Sequence, residues 1–130
     1  MKLNTFAFSL CAGLAITFTA AAADKKLPPP STQKDVTFAK DIKPIFDKAC
    51  ADCHGDKKQK GKLRLDTLAN ALKESENGKS IIPGKSAESA LVKAVARLNE
   101  DDAMPPEGKS KPLTAAEVGL IRAWIDQGAK

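Results

Sequence analysis

The chain has 130 residues and a formal charge of +5, with 21 Lys and Arg against 16 Asp and Glu, five Phe, one Trp and no Tyr. That length leaves room for one domain plus tails and a single modest core. A core so poor in rings is easier to build if a large, flat, apolar cofactor supplies part of the buried area. A basic balance alone does not imply nucleic acid, because the chain offers neither a recognition motif nor aromatic residues interleaved with its lysines.

Residues 1–23 read as a signal peptide. Lys2 gives a positive start, Leu3 to Ala22 is an almost uncharged apolar run, and Ala21-Ala22-Ala23 before Asp24 suits a small-residue cleavage site. Export to the periplasm follows, and loss of Lys2 takes the formal charge from +5 to +4. The rival reading is an uncleaved N-terminal membrane anchor, since the run is long enough to span a bilayer. Residues 24–35 (DKKLPPPSTQKD) read as a flexible Pro- and Lys-rich linker, extended through Pro28-Pro29-Pro30. Residues 36–130 are then the domain.

The spacing predicts an all-α domain with about four helices, near 38–49, 67–75, 87–98 and 115–127. In the first, Phe38, Ile42, Ile45, Phe46 and Ala49 recur at helical spacing behind Thr37 as N-cap, Phe38, Ile42 and Phe46 make one apolar face, and Pro44 implies a kink or a fresh start. Asp66 or Thr67 caps the second helix, which fades towards the turn at Asn77-Gly78. Ser86 is the expected cap of the third, whose stripe is Leu91, Val92, Val95 and Leu98 with Lys93 and Arg97 facing out. The fourth opens on a capping box, Thr114-Ala115-Ala116-Glu117, carries Val118, Ile121, Trp124 and Ile125, and stops at Gly128. Gly119 lies inside that helix, where it costs up to about 1 kcal/mol relative to alanine. A close crossing with the N-terminal helix would account for it.

Cys50-Ala51-Asp52-Cys53-His54 is the motif with chemistry. Two thiols three positions apart can each add across a vinyl group of one haem, and the adjacent imidazole then binds iron. A redox C-x-x-C would sit beside a βαβ pattern, which is missing from the sequence. Structural zinc needs about four ligands, and outside the leader, which holds Cys11, only Cys50, Cys53 and His54 are at hand. A disulfide between residues three apart is sterically awkward and closes almost no loop. Covalent haem c is the reading that uses all three residues. Met104, in Ala103-Met104-Pro105-Pro106, is the one methionine outside the leader and so the candidate soft axial ligand; the rival reading is a gap-filling core methionine.

The runs Asp41-Ile42-Lys43-Pro44-Ile45-Phe46, Cys50 to Gly55, Lys60-Gly61-Lys62-Leu63-Arg64-Leu65-Asp66-Thr67, Ile82-Pro83-Gly84-Lys85-Ser86, Met104-Pro105-Pro106 and Leu120 to Ala129 together resemble the planctomycete-type cytochrome c domain, over about Val36 to Ala129. Lys62 and Asn77-Gly78 depart from it, standing where a second glycine and a glycine pair are usual. The resemblance implies a class I cytochrome c fold around one covalent haem, with His54 proximal and Met104 distal, and with the Ile82-Pro83 loop offering the carbonyl that receives the imidazole N–H.

With both axial positions filled, the expected function is outer-sphere electron transfer by a monomer, without catalysis. The alternative is a haem enzyme or a peroxide or gas sensor with a labile Met104. Lys57, Lys58, Lys60 and Lys62 follow the haem motif, and Lys109 and Lys111 follow the methionine. Around an exposed haem edge they would steer an acidic redox partner; otherwise they are solubilising charge.

Overall fold

The computed structural model describes residues 26–130; the leader, its anchor alternative and Cys11 fall outside the described residues. A π-helical turn, Phe38–Ile42, runs into α1, Lys43–Ala49. After a 3-10 turn at Lys60–Lys62 come α2, Leu68–Ala71, the strands β1, Glu74–Ser75, and β2, Gly78–Lys79, then α3, Ala90–Val95, and α4, Ala115–Asp126. The expected all-α class therefore needs one correction. A small antiparallel hairpin pairs Glu74 with Lys79 and Ser75 with Gly78 where only a turn was expected. Among the described residues no helix is long and apolar enough to cross a membrane.

Pro44 explains the first helix. It has no N–H to offer the carbonyl four residues back, and the ladder before it widens so that the Lys43 N–H reaches Phe38 O. Pro44 then sits in the first turn of α1. Thr37 is the N-cap residue, but its side chain caps nothing; the Asp41 carboxylate instead accepts the Thr37 N–H at 2.9 Å. That hydrogen bond holds the Asp41 carboxyl below the ordinary carboxylate range.

α4 organises the core. Its capping box is present in both directions, with Glu117 N–H on Thr114 Oγ1 and Thr114 N–H on Glu117 Oε2. At its other end Gly128, at φ +102°, closes the helix through Gly128 N–H to Ile125 O and Ala129 N–H to Trp124 O. Trp124 is fully buried against Phe38 and Phe46, at ring-centroid distances of 5.8 and 6.2 Å. The two phenylalanines meet edge-on at 6.1 Å. The indole N–H, which could not be buried alone, donates to Lys130 O.

Ser86 does not cap α3. That place belongs to Ser89, whose hydroxyl is itself engaged with Ile82 N–H and Lys85 O. Ser86 is 1 % exposed and bonds Asp126 through both its N–H and its Oγ, while Arg122 Nε donates to Ser86 Oγ. The hydroxyl is thus a buried link between the 82–86 loop and α4.

The linker expectation is also revised for residues 27–33. They are extended, yet they lie against α4: Ser31 N–H donates to Gly119 O at 2.8 Å, Arg122 Nη1 donates to Pro28 O, and Gln127 Nε2 donates to Gln33 O at 2.8 Å. Leu27 packs on the core. Composition predicted a free segment because proline and lysine bury little; the ordering comes from backbone carbonyls that α4 side chains can reach. This also reassigns Gly119. A Cβ there would stand 2.7 Å from Pro29 O, so the missing side chain makes room for the strap and not for the N-terminal helix. Gly119→Ala is expected to lift the strap, costing about 1–3 kcal/mol from overpacking despite better helix propensity. Thermal unfolding together with faster amide exchange at Ser31 checks this.

Candidate functional site

The C-x-x-C-H segment is wound on backbone hydrogen bonds at the end of α1. Phe46 O accepts from both Cys50 N–H (2.8 Å) and Ala51 N–H (3.0 Å), which ends the helix. Cys50 O then accepts from Cys53 N–H (3.1 Å) and His54 N–H (2.9 Å). Both thiols and the imidazole therefore ride on one turn, and both cysteines are unpaired thiols. Gly55 is required by sterics: a Cβ there would run into the Ala51 carbonyl.

The lysine-rich loop folds back onto this turn. Gly55 N–H donates to Lys58 O, Lys60 N–H donates to Cys53 O, and Leu65 N–H donates to His54 O at 2.7 Å. His54 Nδ1 lies 3.0 Å from Lys60 O. A carbonyl only accepts, so the proton sits on Nδ1 and the Nε2 lone pair is left for a metal. The carbonyl is Lys60's, not one from the Ile82-Pro83 loop; Ile82 O is taken by Lys85 N–H, closing its own turn. Nothing in the side-chain pattern marks a backbone carbonyl as a partner, and sequence reasoning had no means of choosing Lys60.

The turn that delivers Lys60 O has two consecutive left-handed residues, Gly61 at φ +62° and Lys62 at φ +54°. The departure at Lys62 from the glycine expected there is thus a lysine in a backbone state that favours glycine. Arg64 braces the same loop. It is ion-paired with Asp66 and reaches Asp56 Oδ1 at 3.1 Å.

Burial pushes the Cys50 thiol up to about 11. An exchange-active C-x-x-C depends on a thiol lowered towards neutrality, so this environment speaks against a redox disulfide. Among the described residues no group of three or more His, Cys, Asp or Glu side chains is gathered to hold a metal ion.

Met104 is half-buried and is tied to the end of α3, its N–H donating to Ala94 O at 3.0 Å. The Met104–Pro105 peptide is cis. Arg97, expected to face solvent, instead turns towards this loop and donates from Nη1 to Pro105 O at 2.9 Å. Met104, Ala103, Pro106 and Arg97 line a cavity of about 340 Å³. The structure holds the cysteines and His54 in one turn and Met104 on a separate loop. Among the described residues no hydrogen bond joins the two.

Two thiols and an imidazole carried on one turn are a donor set that could hold a haem. Residues 50–108 match the family model described as planctomycete cytochrome C, which supports a planctomycete-type cytochrome c domain over that stretch. The match begins at Cys50 and includes Cys53, His54 and Met104. No curated protein and no solved structure matches the chain.

The Arg64–Asp66 pair gives a pH prediction. Hydrogen bonding from Arg64 lowers the Asp66 carboxyl from its ordinary 3.8 to about 2. A depressed folded-state value contributes stability above about pH 4 and loses it as pH falls through about 2. Asp66→Asn should therefore lower the thermal midpoint at pH 7 and converge on the parent protein near pH 2, as read by circular-dichroism melts across that range.

Proposed function

We propose that the protein is an exported, monomeric mono-haem cytochrome of class I fold that passes single electrons, with Cys50 and Cys53 as thioether attachments and His54 and Met104 as axial ligands. The observation that carries this is the His54 Nδ1 to Lys60 carbonyl contact inside the C-x-x-C-H turn, which supports a tautomer whose Nε2 lone pair is available to a metal. When bound, haem supplies an Fe(II)/Fe(III) couple. His54 would hold the iron through Nε2 with its other ring nitrogen fixed by Lys60 O, and Met104 would offer a neutral sulfur, so that the group would pass electrons and not bind a substrate. A thioether paired with an imidazole would favour the reduced state relative to two imidazoles.

Lys57, Lys58, Lys60 and Lys62 are exposed, and the loop that bears them is fastened to His54 and Cys53 by its backbone. That placement supports docking of an acidic redox partner beside the haem attachment, steered by charge. Export and the 1–23 leader rest on the sequence pattern alone, as does the anchor alternative.

The decisive measurement is the intact mass and optical spectrum of protein purified from its native host. A mass increase of one haem with a ferric sulfur-to-iron band at long wavelength is expected. A high-spin spectrum that shifts at once with carbon monoxide or cyanide would point instead to the enzyme or sensor with a labile Met104. Met104→Ala should abolish the band and lower the potential, whereas an unchanged spectrum removes Met104 from its role. Replacing Lys57 and Lys60 by Glu should slow electron transfer to an acidic partner at low salt and leave rates converging as ionic strength rises and the Debye length shrinks to about 10 Å or less.

A further inference from the structure

The ends of α3 and α4 close in the same way but with different residues at the critical position. After α4, Gly128 N–H bonds Ile125 O and Ala129 N–H bonds Trp124 O, with Gly128 left-handed at φ +102°. After α3, Arg97 N–H bonds Ala94 O at 3.0 Å and Leu98 N–H bonds Lys93 O at 3.1 Å, with Arg97 left-handed at φ +55°. Glycine suits that position because it has no Cβ to strain, and an arginine there carries a backbone cost that glycine would not. A side chain kept at such a place is a reason to look for what it does.

What it does is bind the methionine loop. Arg97 Nη1 donates to Pro105 O at 2.9 Å, a charge-assisted hydrogen bond on the C-terminal side of Met104. On the other side, Met104's own N–H donates to Ala94 O at 3.0 Å, the carbonyl that also receives Arg97 N–H. The helix end thus holds the backbone before and after the Met104 side chain, and Arg97 and Met104 line the same cavity. We propose that Arg97 is the positioning residue for the Met104 thioether: by clamping Pro105 O it keeps the loop closed on α3 and sets how firmly the sulfur is held in its ligating place. The proposal rests on the reading of Met104 as distal ligand given above. Its physical content is a competition: an external ligand that displaces the sulfur must also let the loop swing away, and the clamp opposes that swing.

Arg97→Gly isolates the side chain, because glycine keeps the left-handed turn while the guanidinium and its stem are removed together. In ferric holoprotein, imidazole should displace the sulfur at about tenfold lower concentration, the fold-change that loss of one charge-assisted hydrogen bond implies. The long-wavelength sulfur band should weaken, and the Met104 amide should exchange with deuterium about tenfold faster. Arg97→Lys, which keeps a cationic donor on a long stem, should recover part of each effect. Wild-type imidazole affinity and wild-type Met104 exchange in Arg97→Gly would overturn the proposal. If the parent holoprotein itself lacks the sulfur band, the ligand assignment has failed, and the exchange experiment then judges the clamp alone: faster exchange retains it as the hold on the loop, and unchanged exchange removes it.

Discussion

Trp124 is the constraint from which the rest of the described structure follows. An indole with no solvent exposure needs apolar surface on both faces and an acceptor for its N–H. Phe38 and Phe46 supply the surface and the Lys130 carbonyl supplies the acceptor. The same carbonyl accepts the Phe38 N–H, so the last residue of the chain is sewn to the start of the first helical turn. Once α4 is fixed in this way, its polar flank becomes a docking rail. Asp126 takes Ser86, Arg122 takes Ser86 and the Pro28 carbonyl, and Gln127 takes both Val36 N–H and Gln33 O. Among the described residues no buried side-chain polar atom lacks a partner, so these contacts complete the burial without a stranded charge.

The site is built differently from the core. None of its residues is held by a long helix. α1 ends at the first cysteine, and from there the positions of Cys53, His54 and Lys60 are set by successive carbonyls, each accepting one or two N–H groups. Such a turn tolerates few side chains at its tightest points, which is why Gly55 cannot carry a Cβ. It also explains how a loop of four lysines can be precise in backbone yet open in side chain: its main chain is bonded to the haem motif while its ammonium groups remain in water.

What the sequence made legible was local. The capping box at Thr114 and Glu117, the stop at Gly128 and the Thr67 cap each depend on residues within a few positions of one another, and each is found where the spacing placed it; of the α3 stripe Leu91, Val92 and Val95 are buried, whereas Leu98 lies past the helix end. The C-x-x-C-H segment was legible for the same reason, as one turn. Partners far apart in sequence were not. Ser86 was read as the cap of α3, and its actual partner, Asp126, lies forty positions away. The strap was read as free because its own composition buries little, although its carbonyls find Arg122 and Gln127. Arg97 was read as solvent-facing from helical phase, but the helix has ended by then and its left-handed backbone redirects the side chain.

The attachment of residues 27–33 to α4 changes what can precede the domain. A loose peptide would let the body tumble about whatever lies upstream, with every orientation nearly equal in energy. Here the backbone is pinned from Pro28 onward, and the pivot sits at the helix carrying Trp124, not at Thr37 where the helical fold begins. Anything upstream, whether membrane or solvent, is thereby given a preferred side of the molecule, and the lysine loop inherits a compass bearing relative to it.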